Sequence, residues 1–184
     1  MSETWYSGAT NVLVNLANNL ISVEYMLTGA SYLMGIAFGI KAIVAMKIHG
    51  EQRSSMGVGG AKEGAIYLVV SAMLLYYPTA FEVIMNSTFG YSSVLAYAPM
   101  SASTPILGSI FGTDSAVGPA LATIIQVIGL VAFLRGWLLI ARSASGQGGQ
   151  PGTVGKGFMH VFGGVLAMNI IGTLEVFHNT LFGT

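Results

Sequence analysis

Two separated stretches of this chain end alike. Residues 81–90 read FEVIMNSTFG and residues 174–183 read LEVFHNTLFG. Five of the ten positions are identical, Glu82/Glu175, Val83/Val176, Asn86/Asn179, Phe89/Phe182 and Gly90/Gly183, which points to a duplication. Upstream, at nearly the same offset, Gly35-x5-Lys41 matches Gly129-x5-Arg135, and Lys62 matches Lys156. Each copy holds an apolar run, a Gly-rich basic loop and a second apolar run. A unit of two membrane spans returns the chain to its starting side, so the two copies run parallel and not inverted. In lipid, a duplicated hairpin of this kind predicts a small helical bundle.

Composition places the chain in lipid. Charged residues make up 8% of it and hydrophobic ones 53%, where a soluble domain carries roughly 25% charged residues. So few charges cannot cover a water-exposed surface. The absence of cysteine excludes a disulfide framework and a thiolate metal site. The net charge of zero gives no indication of nucleic-acid binding.

Four stretches approach the ~20 apolar residues that a spanning helix needs: Tyr25–Met46, Ala65–Met85, Val117–Ile140 and Phe158–Phe177. Before them, Asn11, Asn15, Asn18 and Asn19 form a polar stripe on a helix, opposite Val12, Leu13, Leu16 and Leu20. Met1–Ser22 has no basic region and does not read as a signal peptide. Trp5 and Tyr6 suit the headgroup region. The expected element is an uncharged amphipathic helix lying in the membrane plane; the competing reading packs it on the bundle. The expected fold is therefore an all-α membrane protein with four transmembrane helices as two parallel helical-hairpin repeats, plus an N-terminal amphipathic interfacial helix. Its parts are that helix at 1–23, a first hairpin repeat at 24–90, an outer-side connector at 91–116 and a second hairpin repeat at 117–184.

All seven basic residues, Lys41, Lys47, Arg53, Lys62, Arg135, Arg142 and Lys156, lie in or just inside two short loops at 47–63 and 141–157. The positive-inside rule puts both loops in the cytoplasm. Both termini and the connector then fall on the outer side. Glu3, Glu24, Glu82, Asp114 and Glu175 are expected at or near the outer ends. Lys41 and Arg135 stand six or seven residues before Lys47 and Arg142, which is roughly 10 Å into the hydrocarbon at ~1.5 Å per residue. They either snorkel back to the headgroups or bind lipid phosphate and line an aqueous lumen. The whole basic set is the candidate lipid-phosphate or lumen-lining site.

The Gly-rich loops, MGVGGAKEG at 56–64 and SGQGGQPGTVGKG at 145–157, lack the phosphate-loop pattern and follow no buried strand. They read as flexible hairpin connections. Small residues recur at helical spacing: Ser31, Gly35 and Gly39; Gly129, Ala132 and Gly136; Gly163, Gly164 and Ala167. Such faces let helix backbones approach closely in lipid. Pro78 and Gly172 predict a bend in the second and fourth spans, and Asn169 calls for a hydrogen-bond partner across helices. The connector, with Pro99 and Pro105, is too interrupted to span. His49, His160 and His178 have no ligand spacing to one another, so no metal site is expected, and no residues form a catalytic constellation.

The basic hairpin loops, the Cys-free Gly-rich body over roughly 25–184 and the ending GGVLAMNIIGTLEVFHNTLFG at 163–183 resemble the IcmC/DotE family. These are inner-membrane components of the Dot/Icm type IVB secretion systems, with counterparts in conjugative transfer. Each hairpin is also similar in layout to the major pilins of type IV secretion, from which this chain departs by having two hairpins and an extra N-terminal helix. The resemblance implies a structural subunit and not an enzyme, in a bacterial inner membrane with both termini periplasmic. It would assemble through small-residue faces into a channel or pilus-like oligomer. Expected partners are membrane lipid, copies of itself and other apparatus subunits, with no cofactor beyond structural phospholipid. The alternative is a small transporter with two parallel hairpin repeats, for which Ser71, Gln126 and Asn169 are the polar groups near mid-membrane.

Overall fold

The computed structural model describes residues 2–51, 59–89, 116–144 and 152–182. These are α-helical, with no strand among them. The connector except Ala116, residues 52–58 with Arg53, and residues 145–151 lie outside the described residues. Six helices follow in order: α1 Ser2–Glu51, α2 Gly59–Leu75, α3 Tyr77–Phe89, α4 Val117–Ala144, α5 Thr153–Met168 and α6 Ile170–Phe182. The largest contacts are α4 with α5 and α1 with α2, and α4 also packs on α1 and α2.

The amphipathic N-terminal segment is not a separate helix. It runs unbroken into the first span as one helix of 50 residues. No proline occurs before Pro78, so nothing in this stretch removes a backbone donor or forces a kink. At ~1.5 Å per residue α1 is roughly 75 Å long, more than twice the ~30 Å hydrocarbon core. The expected boundary at residue 23 is a change of surface polarity along a continuous rod.

Among the described residues two helices are long and apolar enough to cross a membrane: α1 over Gly8–Glu51, and α4 over Val117–Ala144. A third span is present if α2 and α3 count as one, since Lys62–Leu75 and Tyr77–Ile84 meet at 79°. The bend falls where the sequence places it. Pro78 lacks an N–H and its ring opposes the carbonyl four residues back, so α2 stops at Leu75 and α3 restarts with proline in its first turn. The fourth apolar stretch is likewise divided, between α5 and α6 at Asn169. Here the cause is capping: Asn169 Oδ1 accepts a hydrogen bond at 3.3 Å from the N–H of Gly172, in the first turn of α6. Thr173 Oγ1 donates back across the break to Leu166 O at 2.9 Å.

The core joins Val70 and Leu74 of α2 to an aromatic seam between α3 and α4. Tyr77, Phe81 and Phe133 are fully buried. Their rings stand 5.6 Å apart for Tyr77–Phe133 and 6.4 Å for Phe81–Phe133, and Trp137 extends the series at 6.2 Å from Phe133. Tilted and edge-on rings at these separations satisfy the quadrupole preference. In the most apolar stretch of α4, 56% of residues are buried within the chain, against 17% for α1. So α4 is the central helix, and most of α1 is turned outward.

Candidate functional site

The small-residue faces are built at backbone contact distance. A methyl added at Gly129 would lie 2.6 Å from Met168 N and 2.8 Å from Gly164 O; at Gly164 it would lie 2.6 Å from Phe133 N and 2.7 Å from Gly129 O. One turn pair further on, Gly136 meets Gly157 O at 2.7 Å and Gly157 meets Gly136 O at 3.0 Å, measured in the same way. No side-chain rotation relieves such contacts, because the opposing atoms are main chain. In the first hairpin Gly35 faces Leu75 and Gly39 faces Ser71, where Ser71 Oγ donates to Gly35 O at 2.7 Å in the buried interface. Ser31 is fully buried and donates to Thr28 O at 2.7 Å. In lipid these short approaches and the interhelical hydrogen bond take the place of a hydrophobic force between helices.

Gly163 departs from expectation. It is exposed and a methyl there would meet nothing within 4 Å. A helix turns ~100° per residue, so the neighbour of a buried glycine already points off the contact face. Two packing positions were missed: Gly157, and Gly64, where a methyl would lie 2.7 Å from the Met46 side chain. Both sit at the ends of stretches that read as loops. The available signal was Gly157's seven-residue spacing to Gly164, which mirrors that of Gly129 and Gly136.

The described basic residues, Lys41, Lys47, Lys62, Arg135, Arg142 and Lys156, are all exposed. The structure puts Lys47, Lys62, Arg142 and Lys156 on the surface near the loop ends of the hairpins and Lys41 and Arg135 on the surface further along their helices, and gathers none of them in the interior. Lys47 pairs with Glu51 at 3.8 Å, an exposed i,i+4 contact that contributes little to stability. Lys41 differs: its Nζ lies 5.6 Å from the Phe38 ring centroid, within cation–π reach. Phe38 is one turn toward the N-terminus, so this side chain runs away from the basic loop and not toward it. Arg135 shares its side of α4 with exposed Ile128 and Val131. Lys41 and Arg135, expected within the hydrocarbon, are therefore outward-facing cations among exposed apolar residues. A lumen lined by them would have to form between copies.

Buried polar groups lie elsewhere. Ser71, Gln126 and Asn169 are buried, yet Ser71 bonds the α1 backbone and Asn169 caps α6. The carboxyl that sequence reading missed is Glu24, which is only 3% exposed, with Oε1 lacking a hydrogen-bond partner among the described residues. Seen in sequence it was one more acidic residue at an outer helix end. Its position on the packed face of α1, in phase with Ala17 and Ser31, was the missed signal. No group of three or more His, Asp or Glu side chains able to hold a metal occurs among the described residues.

Neither known protein families, nor curated proteins, nor solved structures match this chain.

Proposed function

We propose that this chain is a structural membrane subunit of a type IV secretion or conjugation apparatus, in which copies assemble into a channel or pilus-like oligomer with bound phospholipid. The observation that carries the reading is the exposure of every described basic residue on two hairpins packed in matching register. The offset that takes Gly35 to Gly129 also takes Gly39 to Phe133 and Ala42 to Gly136. The offset that takes Leu75 to Met168 also takes Ser71 to Gly164 and Gly64 to Gly157. Each contact of the first hairpin thus has a counterpart in the second: Gly35 on Leu75 and Gly129 on Met168, Gly39 on Ser71 and Phe133 on Gly164, Gly64 on Ala42 and Gly157 on Gly136. The second offset also takes the break at Tyr76 to the break at Asn169. This register supports two parallel repeats, four spans with the second and fourth bent, and two cationic loops on one side.

Surface cations beside lipid-facing residues suit phospholipid headgroups and an assembled lumen better than a substrate pocket. The transporter reading is the weaker one, because two of its three polar groups already serve helix packing and capping. Mass spectrometry of the gently extracted assembly is expected to give several copies of the chain with retained phospholipid. A lipid-free monomer under conditions that preserve other membrane complexes would remove this reading.

Topology gives an independent check. Cysteines placed at Ser55 and Gly149 should be shielded from an impermeant thiol reagent in intact cells, and those at Ser103 and Thr184 labelled. Labelling at Ser55 with protection at Ser103 would reverse the orientation and the cytoplasmic assignment of the basic loops.

A further inference from the structure

We infer that α1 carries the contact between copies, through a seam of Asn11, Asn15, Asn18, Ser22 and Gly29 that docks on the same seam of a second copy of this chain. The inference rests on the reading that the protein assembles with itself, and names the surface that does it.

The glycines of α1 divide into two kinds. Gly35 and Gly39 are closed off by Leu75 and Ser71, so their lack of a side chain is explained by α2. At Gly29 a methyl would meet nothing within 4 Å. The missing side chain at Gly29 leaves room for a close approach by a second helix. Gly29 is in phase with the asparagines. Counting from Asn11 the steps to Asn15, Asn18 and Ser22 are four, three and four residues, and seven more reach Gly29. That is a heptad spacing, which lets two helices stay in contact along a gently supercoiled line. All five residues are exposed. At ~100° per residue the seam is turned roughly 140° from the face bearing the buried Ala17, Glu24, Ser31 and Gly35. It therefore looks away from the bundle.

Self-complementarity selects the occupant. A carboxamide carries both a donor and an acceptor. Copies inserted with one orientation bring α1 side by side in parallel, so each asparagine meets its own equivalent at the same height and the pair can bond reciprocally. Asparagine at such seam positions also fixes register and copy number. Between Glu3 and the inward-facing Glu24 the helix has no charged residue, so like copies do not repel, and a charged partner finds no counter-charge. Ser22 and Gly29 are small and favour close approach, while the exposed Tyr25, at the intervening heptad position between them, lies across the seam against its own equivalent.

The test uses the absence of cysteine from the chain, which makes each introduced thiol unique. Asn15→Cys, Ser22→Cys and Gly29→Cys, with Val12→Cys and Leu16→Cys as exposed controls on another face, are oxidised in native membranes. Disulfide-linked dimer is expected at the seam positions at least tenfold above the controls. Adding Asn11→Ala and Asn18→Ala to Ser22→Cys should reduce its dimer several-fold. Dimer favoured at Val12 and Leu16, equal at all five positions, or absent from all five overturns the seam; the last would mean that lipid or another protein covers it. An assembly of several copies that lacks seam cross-links refutes this surface alone. A monomer by mass spectrometry refutes the assembly reading as well.

Discussion

Gly164→Ala is expected to separate α5 from α4 and to destabilise the protein by about 3 kcal/mol, the upper part of the range for overpacking. The new methyl would stand 2.6 Å from Phe133 N, 2.7 Å from Gly129 O and 2.9 Å from Phe133 Cα. All three are backbone atoms of the central helix, so relief requires moving a helix axis and not a rotamer. Displacing α5 would also disturb the pairs below it, since Gly136 and Gly157 are held at similar distances. The neighbouring Gly163→Ala is the control. Nothing lies within 4 Å of a methyl there, and alanine is favoured over glycine in a helix by ~1 kcal/mol, so this variant should unfold no earlier than the parent. Thermal unfolding of the detergent-solubilised protein distinguishes them. A Gly164→Ala protein that melts with the parent, beside a destabilised Gly163→Ala, would mean that α5 presents its other face to α4.

Much of this architecture could be read from spacing. Helix packing in lipid is governed by where side chains are smallest, so Gly35, Gly39, Gly129, Gly136 and Gly164 were visible as contact points. Pro78 marked the bend because its missing donor acts locally, whatever surrounds it. What could not be read depends on neighbours. The asparagine stripe of residues 11–19 implied a change of environment, and a change of environment does not break a helix; only a backbone event does, and none occurs before residue 51. Asn169 was expected to bond across helices, yet its oxygen caps the helix that begins at the next residue. Burial of Glu24 was hidden for a related reason: which face of α1 is covered is decided by packing distant in sequence. The basic residues group by position along the chain. Whether Lys41 and Arg135 pointed inward or outward was set by the helix faces that α2 and α5 occupy.

If the chain serves in a transfer apparatus as proposed, replacing both Lys41 and Arg135 with methionine is expected to abolish transfer while leaving insertion intact or improved. Both cations are exposed on the outer surface of the helices, roughly 10 Å inside the basic ends of their spans. A charge near the bilayer centre costs about 2.5–3.5 kcal/mol on insertion scales, so removing two favours entry into the membrane. Simple snorkelling predicts that the side chains extend toward the nearby headgroups. Lys41 instead lies over the Phe38 ring, and on the proposed reading its remaining ammonium protons meet water in a lumen or a drawn-in phosphate. The double variant should therefore lose most of the co-purifying anionic phospholipid as well as transfer, and each single variant should lose less. Arg135→Lys separates the two modes of contact. A point charge is sufficient for a phosphate, whereas a bidentate contact is weakened by the exchange; near-parental lipid content with the lysine would assign the former. Normal transfer together with normal lipid content in the double variant would sink the functional role of these cations, leaving the basic loops as markers of orientation only.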